Sequence, residues 1–164
     1  MNQNEWDLLS DPVSLRPMTE DDLEAVLKIE SKSYPAPWTR ENFVQEINKP
    51  FARTLVITDD ETDSKVIGYI TYWMLFEECH ILNLTVALEY RGLGFAQKLV
   101  RQALNESIKK DFKRLFLEVR RSNEAAVKLY QKMGFFIDHI KKDFYQDGEE
   151  AYFMVLYLDK SNQI

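Results

Sequence analysis

A mixed α/β fold, one sheet of about seven strands with helices packed on both faces, is what this sequence predicts. Three observations predict it. Hydrophobic spacing switches repeatedly between strand and helix periods, the connections between segments are short, and a glycine turn past mid-chain joins an apolar strand to an amphipathic helix. With 164 residues, 45% hydrophobic and 29% charged, the chain has the size and composition of one globular domain, 13–160, behind a polar lead-in over 1–12.

Val13-Ser14-Leu15-Arg16 reads as a first strand, ended by Pro17. Thr19 then caps a helix with Asp22 in the capping-box position, and Leu23, Val26, Leu27 and Glu30 form one stripe. The prolines of Tyr34-Pro35-Ala36-Pro37-Trp38-Thr39 break that helix. Trp38 sits in this stiff loop either as the lining of a substrate groove or as a packed connector, and Thr39 caps a second helix carrying Phe43, Val44 and Ile47. Residues 51–58 and 66–76 are β-rich runs joined by the polar stretch 59–64, a hairpin loop.

The run 81–86, Ile-Leu-Asn-Leu-Thr-Val, is the next strand, and Ala96, Leu99, Val100, Ala103, Leu104 and Ile108 recur at helical spacing after it. Between them lies Arg91-Gly92-Leu93-Gly94-Phe95-Ala96. A helix N-terminus there presents unpaired N–H groups and the positive end of a dipole, and glycine admits a ligand close to the backbone. This is an anion cradle suited to phosphate or pyrophosphate; taken alone, it is equally a tight turn that starts a helix. A dinucleotide fingerprint needs glycine where Gln97 stands, and no Gly-Lys-Ser/Thr exists for a Walker loop.

Residues 114–120 alternate, with Leu115, Leu117 and Val119 on one face and Glu118 beside Phe116 on the other. Ser122 or Asn123 caps a short helix whose stripe is Ala126, Leu129, Tyr130 and Met133, stopped by Gly134. Residues 135–145 and 151–158 close the chain as a hairpin around Asp147-Gly148.

Composition narrows the function. A net charge of −6 argues against a general nucleic-acid surface and fits a basic peptide partner or simple solubility. A single cysteine, Cys79, excludes an internal disulfide and suits a reducing cytosol; with only His80 and His139 beside it, no metal site is expected. The first residues carry no signal-peptide pattern, and the longest apolar stretch, 66–76, is too short to span a bilayer. A cytoplasmic location with no membrane partner is the expectation.

On these residues the chain resembles the Gcn5-related N-acetyltransferase (GNAT) superfamily. Arg91-x-x-Gly94-x-Ala96 matches that superfamily's pyrophosphate turn. Asn83-Leu84-Thr85-Val86, Leu117-Glu118-Val119-Arg120-x-Ser122-Asn123 and Leu129-Tyr130-x-x-Met133-Gly134-Phe135 fall at the spacing of its RimI branch, the ribosomal-protein alanine N-acetyltransferases. Pro37-Trp38-Thr39 and Phe144-Tyr145 resemble that branch's substrate-side loops, and the likeness runs from about residue 15 to 158. Two departures are Gly92 and Gln97, which stand at positions open to basic residues in that branch and leave more of the phosphate binding to Arg91 and backbone amides.

The resemblance implies a mainly antiparallel sheet and acetyl-coenzyme A as cosubstrate, with no metal. It implies that Leu84, Thr85 and Val86 hold the pantetheine arm, that Arg91, Gly92, Leu93, Gly94, Phe95, Ala96 and Gln97 hold the pyrophosphate, and that Asn123 is a further cofactor contact. Trp38 and Tyr145 fall on the acceptor side. Glu118 takes the proton from the acceptor amine, directly or through water, a backbone N–H near Val86 holds the oxyanion, and Tyr130 protonates the departing thiolate. An N-terminal α-amine, of reference pKa ~8 against ~10.4 for lysine, asks only for a modest base. The expected partner is a protein N-terminus, first of all the N-terminal alanine of a ribosomal protein, with no direct nucleic-acid contact; the oligomeric state is open. Two alternatives stand beside this one: a lysine or small-amine acetyltransferase of the same fold, and an acetyl-coenzyme A-binding module without catalysis.

Overall fold

The computed structural model describes residues 12–158. The lead-in predicted over 1–12 therefore lies, but for its last residue, outside the described residues. Seven strands and four helices follow in the predicted order: β1 (Val13–Pro17), α1 (Leu23–Ser33), α2 (Arg40–Asn48), β2 (Ala52–Asp59), β3 (Lys65–Leu75), β4 (Glu78–Val86), α3 (Phe95–Lys109), β5 (Arg114–Arg120), α4 (Glu124–Lys132), β6 (Phe136–Lys141) and β7 (Ala151–Tyr157). They form one sheet in the order β1-β2-β3-β4-β5-β7-β6, antiparallel throughout except for β4 beside β5.

The alternation of apolar residues divides the sheet into two faces. Ile57, Ile70, Tyr72, Leu115 and Leu117 point to α3 and α4, meeting Leu99, Val100, Ala103 and Tyr130 in the larger core. Val56 and Tyr69 point the other way, onto Leu23 and Val26 of α1 and Phe43 of α2. Those two helices cover β2 to β4 only, so the half-buried side chains of β5 on that face, Phe116, Glu118 and Arg120, lie beyond them.

Two irregularities shape the middle of the sheet. Tyr72 pairs with Ile81 and Thr71 with Asn83, so Leu82 is an extra residue, a β-bulge. Because side chains alternate with period two, one extra residue reverses the pattern. Cys79 and Ile81 pack into the core under α3 before the bulge; after it, Val86 belongs to that core and Asn83 turns to α1. The second irregularity is that the β4–β5 ladder runs only from Glu78↔Arg114 to Ile81↔Leu117. Beyond it the two strands continue without pairing, and a gap opens through the sheet between residues 82–86 and 118–120.

Two boundaries differ from the sequence reading. β4 begins at Glu78 rather than Ile81, because its first rungs are made by β3 and β5. The strand expected over 135–145 ends at Lys141: Asp143 takes a left-handed φ of 50°, which no strand accommodates, and residues 142–150 form a loop.

Candidate active site

The β4 side of the gap is made of backbone. Ala87 N–H donates to Ile67 O across the ladder with β3. Antiparallel pairing alternates, so Thr85 directs its backbone groups to β3 while Leu84 and Val86 direct theirs toward β5, where the ladder has ended. Their carbonyls confirm the direction: Leu84 O accepts from Tyr34 Oη at 2.6 Å and Val86 O from Arg91 Nε at 2.9 Å. Leu84 and Val86 thus present N–H groups to the gap as an added strand would need them. Thr85 does not; its hydroxyl lies within hydrogen-bond distance of Asn83 Oδ1 at 3.0 Å and of Tyr34 Oη at 3.1 Å, with one proton to donate between them.

At the mouth of this edge the chain turns through Gly92 and Gly94, with φ of 78° and 87°. A Cβ at either would meet nothing within 4 Å, so conformation demands glycine here and the concavity is open. Gly94 is the N-cap of α3, with no side-chain cap and no acidic residue in the first turn, leaving the first N–H groups of Phe95, Ala96 and Gln97 available to an anion. Leu93 is exposed and Phe95 is buried. The Arg91 guanidinium is tied through Nε to Val86 O and through Nη2 to Ser33 Oγ at 3.1 Å, bracing the turn against β4 and the end of α1.

The β5 side is made of side chains. Glu118 is 12% exposed and both of its oxygens are engaged, Oε2 by His80 Nε2 at 2.7 Å and Oε1 by Lys141 Nζ at 2.8 Å. Burial pushes its pKa up, but the hydrogen bonds and charges of His80 and Lys141 outweigh burial and hold it below the ordinary carboxylate range. Tyr130 comes from α4, on the opposite face. Burial raises its phenol, and so do the neighbouring phenols of Tyr34 and Tyr145. Among the described residues the Tyr130 hydroxyl has no hydrogen-bond partner, yet it is not sealed from solvent, so it is free to donate.

Asn123, not Ser122, caps α4: its Oδ1 accepts from Ala126 N–H at 3.2 Å, which leaves its amide nitrogen for any other contact. Tyr145 lies in the 142–150 loop under the Arg120 guanidinium, 4.0 Å from its ring centre, and burial pushes its pKa up to about 12. Arg120 holds that loop through Asp147 and Glu149, and Glu149 also accepts from Ser122 N–H at 2.9 Å. Trp38 is half-buried against Phe43, ring centres 5.2 Å apart, in the α1–α2 connector, so it packs as a connector while part of its ring stays open to solvent.

Three further groups matter that the sequence did not reveal. Glu30, 1% exposed, accepts from Tyr69 Oη, from Asn83 Nδ2 at 3.1 Å and from Trp38 N–H at 3.0 Å. Asn83 passes the chain to Thr85, and Thr85 to Tyr34, so a buried polar network fixes the α1–α2 connector to the β4 edge. A carboxylate on the otherwise apolar stripe of α1 was the available signal. Tyr34 and His80 carried none.

An open strand edge leading to a glycine turn, with a carboxylate on the neighbouring strand, is a site for an extended ligand that ends in an anion, beside an ionisable group. The family model for the acetyltransferase (GNAT) family matches residues 23–135, and the chain belongs to that family. It is 38% identical over 143 residues to a Bacillus subtilis (strain 168) protein named, provisionally, a [ribosomal protein bS18]-alanine N-acetyltransferase, covering 86% of this chain and 93% of that one. The crystal structure of the ribosomal-protein-S18-alanine N-acetyltransferase from Escherichia coli superposes with a TM-score of 0.79 at 25% identity, over 93% of this chain and 99% of that one. Arabidopsis thaliana NAA60 in complex with acetyl-CoA has the same fold, with a TM-score of 0.81 at 21% identity, over 89% and 99%. The protein is an N-acetyltransferase.

Proposed function

We propose that the chain transfers acetyl from acetyl-coenzyme A to the N-terminal α-amine of a protein, and that the N-terminal alanine of a ribosomal protein is its acceptor. The observation that carries this reading is the unpaired stretch of β4 opposite Glu118, with the glycine turn at its mouth. Leu84 and Val86 would take the arm of the cosubstrate as an added strand, with Thr85 bracing that edge. Residues 91–97 would take its phosphates, the Arg91 guanidinium shaping the turn while backbone amides do the binding, and Asn123 would add a contact through its amide nitrogen. The acceptor would enter between Trp38 and Tyr145. Glu118 draws a proton from its ammonium, directly or through water, and the neutral nitrogen attacks the thioester carbonyl. A backbone N–H near Val86 steadies the carbonyl oxygen as charge grows on it, and Tyr130 delivers a proton to the departing thiolate. A carboxylate held more acidic than usual suits an α-amine, of reference pKa ~8, better than a lysine near ~10.4.

Thiol release from acetyl-coenzyme A tests this with two peptides, one beginning with free alanine and its N-terminally blocked twin carrying an internal lysine. Turnover with the free peptide alone is expected. Turnover with both would move the acceptor to lysine, and silence with both would move it to a small amine.

A further inference from the structure

We propose that His80 carries the acceptor's proton away from Glu118 to solvent; the inference rests on the reading of Glu118 as proton acceptor. An N-terminal amine arrives largely as ammonium at neutral pH. For each transfer, one proton must leave nitrogen before attack and a second after it; the second ends on the thiol sulfur, so the first is released to water. A carboxylate 12% exposed needs a neighbour that can receive that proton.

Glu118 touches two groups, and only one can do this. Lys141 binds Oε1 as an ammonium, which has three donors and no acceptor. His80 binds Oε2, and an imidazole takes a proton at one nitrogen while releasing one from the other. Its second ring nitrogen is engaged by no described residue. The ring is held flat on Phe116, centres 4.3 Å apart, and edge-on to Trp73 at 6.1 Å. In the parallel register His80 lies level with Phe116, one pleat behind Glu118 as seen from the gap. It also lines a cavity of about 160 Å³ with Trp73, Leu75, Phe76, Glu78 and Phe116. Phe76 is 92% exposed, so this cavity meets the surface. The proton enters from the gap at Glu118 and leaves on the far side through His80. As a relay, His80 is a positioning residue and does not contact the acceptor.

The test compares two free N-terminal peptides, one beginning with alanine and one beginning with trifluoroalanine, whose amine is already neutral at the assay pH, with the blocked twin as control. His80→Gln is expected to lower kcat for the alanine peptide about 10- to 100-fold with KM little changed, and to leave transfer to the trifluoroalanine peptide close to wild type. Imidazole added to His80→Ala is expected to restore part of the lost rate. Equal losses on both peptides, or no loss on either, would overturn the relay while leaving the N-terminal reading intact. Wild-type enzyme silent on both free peptides would overturn the N-terminal reading, and the relay with it.

Discussion

The two sides of the gap are built of different material. On the β4 side the groups left open are backbone N–H groups, set by where a ladder ends and where a helix begins. On the β5 side the site is built of side chains drawn from five places: Glu118 from β5, Tyr130 from α4 and Tyr145 from a loop, with His80 from β4 and Lys141 from β6 holding Glu118. A backbone site tolerates changes of side chain and fails when conformation changes. A side-chain site does the reverse. The β4 side should therefore report on binding, and the β5 side on the chemical step.

The sharpest attempt to break this division is Tyr130→Phe. Turnover should fall about 10²- to 10⁴-fold, the range of a lost general acid, while calorimetric affinity for acetyl-coenzyme A stays within about twofold. A matching loss of affinity would show that the β5 side also binds. Next is Gly94→Val. A β-branched residue forced to a φ of 87° is strained by about 1–2 kcal/mol, so affinity for acetyl-coenzyme A should drop at least about 10-fold, with kcat at saturation nearly kept. Ala96→Gly, which alters only a side chain there, should change little. The smallest effect is on stability. Because its neighbours hold Glu118 below the ordinary carboxylate range, its contribution is present above that range and is lost as pH falls through the lowered value. Wild type should outlast Glu118→Gln in thermal melts at pH 7 by about 1–3 kcal/mol, and the difference should shrink toward pH 3.

The same contrast explains what could be read beforehand. The eleven elements follow from local spacing, and Gly92, Gly94 and the cap of α4 from local conformation, so the glycine turn on the β4 side was visible. The β5 side depends on sheet order. His80 and Lys141 are 38 and 23 residues from Glu118 and meet it because β4 and β7 flank β5 and because β6 pairs with β7. The bulge at Leu82 is likewise invisible: a strand of alternating residues looks the same whether or not one of them is extra, and only pairing with β3 reveals it. Tyr34 reads as the end of a helix until its hydroxyl is found on Leu84.

A sheet whose central ladder has only four rungs is a pair of panels, β1 to β4 and β5 to β6, riveted at one end near Lys113 N–H and Glu77 O. An extended arm laid along Leu84 and Val86 would fasten the loose end and stiffen both panels together. The cosubstrate would then complete the wall against which the acceptor is received, an arrangement in which the acetyl donor binds first and the peptide second.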